Sequence, residues 1–356
     1  MRPRLRQTIE AVGTADGDLY LLRPGAAGDL LIEQPTESAR ALLGALDGRS
    51  TAQELEQRFG HELVTTTLHS LGELELLEDA SDADRLTAGE RVRFDRQLRY
   101  LSDLARDGGG GARHHERLRS SRVCLLGVGG LGSWAAYALA CCGVGELLLV
   151  DGDVVEESNF NRQILYRECD LGRPKVAAAA EALAAFHSAG RFVPVERRVE
   201  SPEEIEEVTR GSDFVVNAAD WPAHDIERWV NIACFTSGLP TITMSHAPPV
   251  ARVGPLYVPG VTGCFECQER AYRESYPLYD AIVEGRRGNR SPAATLGPVC
   301  AFVGGQVALE ALHQITGLCR PATLGVAHMY DLRTMEVTRE PVPRDPGCPV
   351  CAQHAG

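Results

Sequence analysis

Residues 123–133, VCLLGVGGLGS, limit what this chain can fold into more than any other stretch. Four apolar residues run straight into Gly127, Gly129, Gly130 and Gly132, and SWAAYALACCGVG follows with a helical pattern that ends in glycine. A buried strand, a glycine turn and a helix in that order open a doubly wound α/β sheet. Glycine lets backbone amides approach a phosphate closely, and a helix N-terminus favours negative charge. By itself the pattern is shared by every dinucleotide fold, and equally by a tight strand–helix turn that holds nothing.

The residues that follow extend the same architecture. ELLLVDGD is a second buried strand ending in acids. KVAAAAEALAAFHS, PEEIEEVTRG and HDIERWVNIACFTSG are helices, and FVPVERRV, DFVVNAAD and PTITMSH are strands. Strands alternating with helices predict a mostly parallel, Rossmann-like α/β sheet.

A chain of 356 residues suits two domains. Residues 1–82 read as a small α+β module. IEAVG, DLYLLRPG and DLLIEQP are short strands separated by the turn-formers ADGD and PGAAGD. Three helices follow: TESARALLGALDG, STAQELEQRFG with Ser50 and Gln53 as a capping box, and LVTTTLHSLGELELLEDA. This order predicts a winged-helix-like fold. Residues 83–90 are expected as a linker, a single helix is expected over 91–105, and GGGG at 108–111 is expected as a flexible break. The larger domain then spans 91–356.

The formal net charge of −13 argues against general nucleic-acid affinity, which needs a basic face. No apolar run reaches the roughly 18 residues of a membrane span. The basic start, MRPRLRQTIEAVG, lacks the apolar core of a signal peptide, so the expected compartment is the cytoplasm.

Asp151 ends the second strand at the spacing of a ribose-binding acid, and to this point a nicotinamide oxidoreductase fits equally well. The stretch DGDVVEESNFNRQ then places Asn159, Arg162 and Gln163 directly after Asp151, and GRPK supplies Lys175. A second nucleotide half laid across the sheet has no use for such a polar, cationic cluster, whereas a triphosphate does. Each charge alone could be a solvated loop residue. Asp220 ends a later strand, where a carboxylate can hold Mg²⁺ beside phosphates.

The eleven cysteines include two CxxC pairs, Cys264 with Cys267 and Cys348 with Cys351. Two such pairs complete a closed, structural tetrahedral zinc site. Cys234 and Cys300 are candidates only for a thioester step, and core packing is the plainer reading. His246 closes the strand PTITMSH and faces either the cleft or a polar strand end. Arg286, Arg287 and Arg290 form a substrate loop or a solvated one.

GVGGLGS, DGDVVEESNFNRQ, GRPK, AAD and the double CxxC resemble the E1-like superfamily of ubiquitin-like activators, which includes the activators of the sulfur carriers of thiamin and molybdopterin synthesis. The resemblance covers roughly residues 91–356. It implies ATP, Mg²⁺ and Zn²⁺ as cofactors. By that resemblance Asp151 binds the ribose hydroxyls, Asn159, Arg162 and Lys175 contact phosphates, and Asp220 coordinates magnesium. RFDRQLRYL matches the family's RxxRQ element, which implies that Arg96 reaches the nucleotide of a partner subunit in a homodimer. The string VGPLYVPGVTGCFECQ looks closest to the branch that makes peptide-nucleotides of the microcin C type. Residues 1–82 resemble the recognition element of enzymes that modify ribosomally made peptides, with the edge from Asp29 to Glu33 as the strand beside which a leader peptide would add. The implied function is ATP-dependent adenylation of a carboxyl group of a ribosomal precursor peptide. The alternatives are activation of a sulfur-carrier protein ending in Gly-Gly, or a non-catalytic leader-binding scaffold.

Overall fold

The computed structural model describes residues 1–23, 28–105, 108–287 and 294–352. They divide into two compact units, residues 1–117 with 316–319, and residues 118–315 with 320–356.

The first unit begins with β1 (Pro3–Leu5), β2 (Glu10–Gly13), β3 (Leu19–Leu22) and β4 (Leu30–Ile32). Then come α1 (Glu37–Ala45), α2 (Ala52–Phe59), α3 (His61–Glu73), β5 (Leu77–Asp79), α4 (Ala88–Arg93), α5 (Asp95–Leu104) and α6 (Gly111–Ser120). Strands β2, β3 and β4 make an antiparallel sheet in that order. Leu21, Leu42, Leu55 and Val64 meet in a fully buried core beneath it.

Four local expectations shift here. The capping box of α2 is formed by Thr51 and Glu54, one residue later than Ser50 and Gln53, because Thr51 carries the extended backbone that aims its hydroxyl at the Glu54 amide. The expected third helix stops at Glu73; Glu75 takes a left-handed φ of 56°, and Leu77–Asp79 leaves to pair with Leu5–Pro3. Residues 83–90 are ordered: a 3₁₀ turn spans Ala80–Arg85, and Thr87 and Glu90 cap α4. The helix expected over 91–105 breaks at Phe94, whose ring is buried 4.1 Å from that of His115. The buried Arg6 guanidinium donates to the carbonyls of Ser102 and Ala105, which ties these later helices to the first strands.

The second unit holds β6 (Arg122–Leu126), α7 (Gly130–Cys141), β7 (Glu146–Asp151), α8 (Lys175–Phe186), β8 (Arg191–Glu196), α9 (Pro202–Thr209), β9 (Phe214–Asn217), α10 (Asp225–Thr236) and β10 (Thr241–Ala247). It continues through β11 (Val250–Tyr257), α11 (Phe265–Ser275), α12 (Tyr279–Arg286), α13 (Gly297–Thr316), β12 (Val326–Asp331) and β13 (Val337–Pro341). One eight-stranded sheet runs β13-β12-β11-β10-β9-β6-β7-β8. The five strands from β10 to β8 are parallel, and β11 to β13 extend them antiparallel. The parallel strands are near-continuous apolar runs because helices cover both faces; Cys124, Leu126, Val150 and Val215 pack against Ile205, Val208 and Val230.

The chain moves outward from β6 in both directions, to β7 on one side and β9 on the other. That reversal opens a crevice at the carboxyl ends of the strands, the usual ligand position in such sheets. Among the described residues no helix is long and apolar enough to cross a membrane.

Candidate active site at the carboxyl edge of the sheet

Leu126, Val150 and Asn217 are neighbouring rungs on β6, β7 and β9, so Gly127, Asp151 and Ala218 leave the sheet side by side. Gly127 has a φ of 88°, and a Cβ there would meet the backbone of Ala218 and Ala219 at 2.8–2.9 Å. A Cβ on Gly132 would lie 1.9 Å from the Gly127 carbonyl oxygen. Gly132 is therefore required by the turn itself, and Gly127 by its φ and by the chain leaving β9. Gly129 faces open space, while Gly130 backs onto Cys300 and Arg162.

Asp151 is fixed by two backbone donors, Val128 N–H to Oδ2 at 2.7 Å and Asp153 N–H to Oδ1 at 2.9 Å. Burial raises its pKa, against the pull of Lys175. Lys175 opens α8, is 7% exposed and reaches Asp153 Oδ2 at 3.1 Å. Arg198 donates to the other Asp153 oxygen at 2.6 Å. Burial works against the Asp153 carboxylate, but Lys175 and Arg198 hold its pKa below the ordinary value.

Asn159 is buried and accepts from the Glu156 amide at 3.0 Å. Arg162 donates to the Ser158 carbonyl at 2.7 Å and to Asn161 Oδ1 at 2.9 Å. Gln163 is 4% exposed, and its Oε1 has no hydrogen-bond partner among the described residues. Asp220 is exposed, three residues past the last parallel rung of β9. His246 stands three residues past the matching rung of β10. Its pKa is pushed down by burial and by Arg162, against Asp220.

Several supports of this edge carry no motif. Trp134 Nε1 donates to the Arg162 carbonyl at 3.0 Å, and the Tyr166 hydroxyl donates to the Val128 carbonyl at 2.6 Å. The first holds the arginine loop to α7, and the second holds the segment after it to the glycine loop. Asp153 and Arg198 likewise have no sequence signature beyond their charge.

Arg96 lies on α5 in the first unit with its side chain 90% exposed. Cys234 is fully buried, and burial pushes its pKa up to about 12. Cys300 is buried, its pKa raised by burial, with Thr295 Oγ1 3.3 Å from its sulfur. Neither thiol is poised as a thiolate. Arg286 ends α12, and Arg287 pairs with Asp225 at 3.0 Å. Arg290 lies outside the described residues.

Cys264, Cys267, Cys348 and Cys351 are all buried, with their sulfurs within 4.8 Å of one another. Phe235, Tyr257, Phe265 and Val342 seal them from water. Hydrogen bonding within the Cys264–Cys267 pair pulls Cys267 down and pushes Cys264 up, and burial pushes Cys351 up. Four soft donors in a dry tetrahedral cluster, with the Asp345 amide 3.5 Å from the Cys267 sulfur, suit zinc.

A parallel sheet with its glycine turn, acid-ended second strand and cationic loop at the switch point defines a nucleotide-binding α/β enzyme of the E1-like type. The ThiF family profile matches residues 94–350. The molybdopterin-synthase adenylyltransferase of Escherichia coli K12 is 30% identical over 75% of this chain and 99% of its own. The sulfur carrier protein ThiS adenylyltransferase of the same organism is 32% identical over 73% of this chain and 94% of its own. The crystal structure of E. coli MccB with ATP superposes with a TM-score of 0.75 at 22% identity, over 99% of this chain and 100% of that one. This protein belongs to the ThiF family, and it is an ATP-dependent adenylyltransferase.

Proposed function

We propose that the protein adenylates a carboxyl group of a ribosomally made peptide, with residues 1–82 reading a leader segment and residues 91–356 carrying the chemistry. The observation that carries this reading is coverage. The sulfur-carrier adenylyltransferases are matched over nearly their whole length but leave about a quarter of this chain unmatched. MccB covers 99% of it and PaaA 94%, so their likeness takes in the first unit as well. MccB has also been crystallised with AMPCPP and MccA.

In this reading Asp151 accepts the ribose hydroxyls, and the amides of the Gly127–Gly132 turn face the phosphates. Asn159, Arg162, Gln163 and Lys175 supply hydrogen bonds and positive charge to the triphosphate. Asp220 holds Mg²⁺, which supplies charge neutralisation when bound. The peptide carboxylate, already ionised, attacks the α-phosphorus; a new P–O bond forms, the bond to the bridging oxygen breaks, and pyrophosphate leaves with the electron pair. No general base is needed, and the work of the chain is alignment and charge stabilisation. Arg96 would act across a homodimer. The four cysteines would hold zinc as a structural centre. The outer edge of β4 would receive the leader as an added strand.

Pyrophosphate exchange, measured with short precursor peptides encoded beside this chain, tests the reading, and mass spectrometry of the product would show an AMP adduct or a water loss. A second reading, activation of a sulfur carrier ending in Gly-Gly, is favoured by the 30–32% identities. Exchange driven by such a carrier tail but by no leader-bearing peptide would replace the first reading with the second.

A further inference from the structure

His224 has a backbone that few residues tolerate. Its φ is 71° and its ψ is −47°, at the residue that caps α10. A non-glycine side chain there is strained and persists only where its surroundings over-determine it. Glu269 of α11 supplies that determination. His224 Nε2 lies 2.8 Å from Glu269 Oε1, and Glu269 is completely buried. Arg228 donates to the second Glu269 oxygen at 2.9 Å, and the Tyr279 hydroxyl donates to the first at 3.2 Å. The imidazole is also flanked by the rings of Phe265 and Tyr279, at 5.7 and 6.4 Å. A sealed carboxylate with donors on both oxygens is a rigid anchor.

The position of that anchor matters more than its strength. His224 closes the short loop that carries Asp220. At its other end the loop is pinned to the glycine turn: the Ala218 amide donates to the Leu126 carbonyl at 2.8 Å, the Ala219 amide donates to Asn217 Oδ1 at 3.2 Å, and Ala218 and Ala219 pack where a Gly127 Cβ would be. Asp220 is exposed between the two anchors. One of the helices involved, α11, also contains Cys267 and starts beside Cys264, so the carboxylate is carried by the element that the cysteine cluster holds.

We propose that the His224–Glu269 pair is a positioning device that fixes the Asp220 loop for the divalent cation accompanying ATP. The inference deepens the assignment of Asp220 above and rests on it. Neither residue touches the cation or the nucleotide; they act by holding the loop, as outer partners of metal ligands do.

The test uses the full-length protein with Mn²⁺, read by electron paramagnetic resonance in the presence of ATP, as the probe for the cation. His224→Ala weakens cation uptake about 10-fold, His224→Gln restores most of it by keeping an N–H donor within reach of Glu269, and ATP binding in EDTA is unchanged in both. Glu269→Gln, which preserves volume, gives a partial loss and keeps the test available if His224→Ala does not fold. Asp220→Ala is the reference for a lost ligand. If Asp220→Ala loses the cation while His224→Ala and Glu269→Gln bind it like the native chain, the inference falls and the Asp220 assignment stands. If Asp220→Ala binds it normally, both fall. Equal losses in His224→Ala and His224→Gln would also overturn the inference, since they would reduce His224 to packing.

Discussion

Lys175 Nζ rests 3.1 Å from Asp153 Oδ2, so the cation expected to meet phosphate is also paired with a carboxylate. The ion pair gives a partner to a lysine head that is almost buried. A triphosphate would share that charge with Asp153, and Arg198 remains with the acid at 2.6 Å.

Lys175→Ala should therefore lower ATP–pyrophosphate exchange by about 100-fold or more, the usual effect of removing one preorganised donor to developing charge. The melting temperature should change little, because the substitution also leaves Arg198 to satisfy Asp153. Exchange at the native rate would show that Lys175 does not serve the phosphates.

The Asp153 pair also sets a pH dependence. Its folded pKa lies below the ordinary aspartate value. Its contribution to stability is thus complete above the unfolded value and is lost as pH falls through the lower, folded one. Acid denaturation curves of Asp153→Asn should lack this component of the native acid limb below about pH 4. Superimposable acid limbs would show that the pair is not a stabilising contact.

The glycine turn separates packing from binding. Gly132→Ala should destabilise the fold by about 1–3 kcal/mol, because the added carbon meets a backbone oxygen that has no room to move. Gly129→Ala adds a carbon to open space. It should melt like the native chain yet bind ATP more weakly in calorimetry, if the phosphates lie where proposed. Equal ATP affinity would place the nucleotide elsewhere.

Elemental analysis should find one zinc ion per chain. Removing the metal, or substituting Cys267→Ser, should lower the melting temperature through the cluster of Phe235, Tyr257, Phe265 and Val342 that surrounds the sulfurs. A metal-free protein of unchanged stability would make the cluster an ordinary core.

Leu31 lies at the centre of β4, with its side chain partly exposed, on the outer strand of the β2-β3-β4 sheet. Leu31→Asp should weaken binding of a leader-bearing peptide by about 10-fold, since strand addition draws on side-chain contacts as well as main-chain bonds, and leave ATP binding intact. Equal affinity for peptide would count against the first unit as the reader.

The nucleotide loop was legible in the sequence because its signals are short-range. Gly132 is required by an atom of its own turn, Gly127 by its local φ of 88° as well as by the distant Ala218 and Ala219, and Asp151 follows its strand directly. Buried parallel strands announce themselves as continuous apolar runs whatever they pair with. The two CxxC pairs each carry half of a metal geometry in four residues. The capping box slipped from Ser50 to Thr51 because neighbouring hydroxyls compete for one cap, and the backbone at Thr51 decides between them.

What the sequence by itself determined was the class of sheet, the glycine turn and the two CxxC pairs, since each depends on residues close along the chain. Only the tertiary structure decided that Leu77–Asp79 leaves the third helix to join the first strand, that Trp134 and Tyr166 clamp the nucleotide loops, and that Glu269 reaches back to His224. Those partners are separated by 28 to 76 positions, and in the last case the gap of 45 spans α10, β10 and β11. No periodicity or spacing encodes such a contact; it exists because closing the sheet brings distant buried polar groups to where each finds the other as its partner.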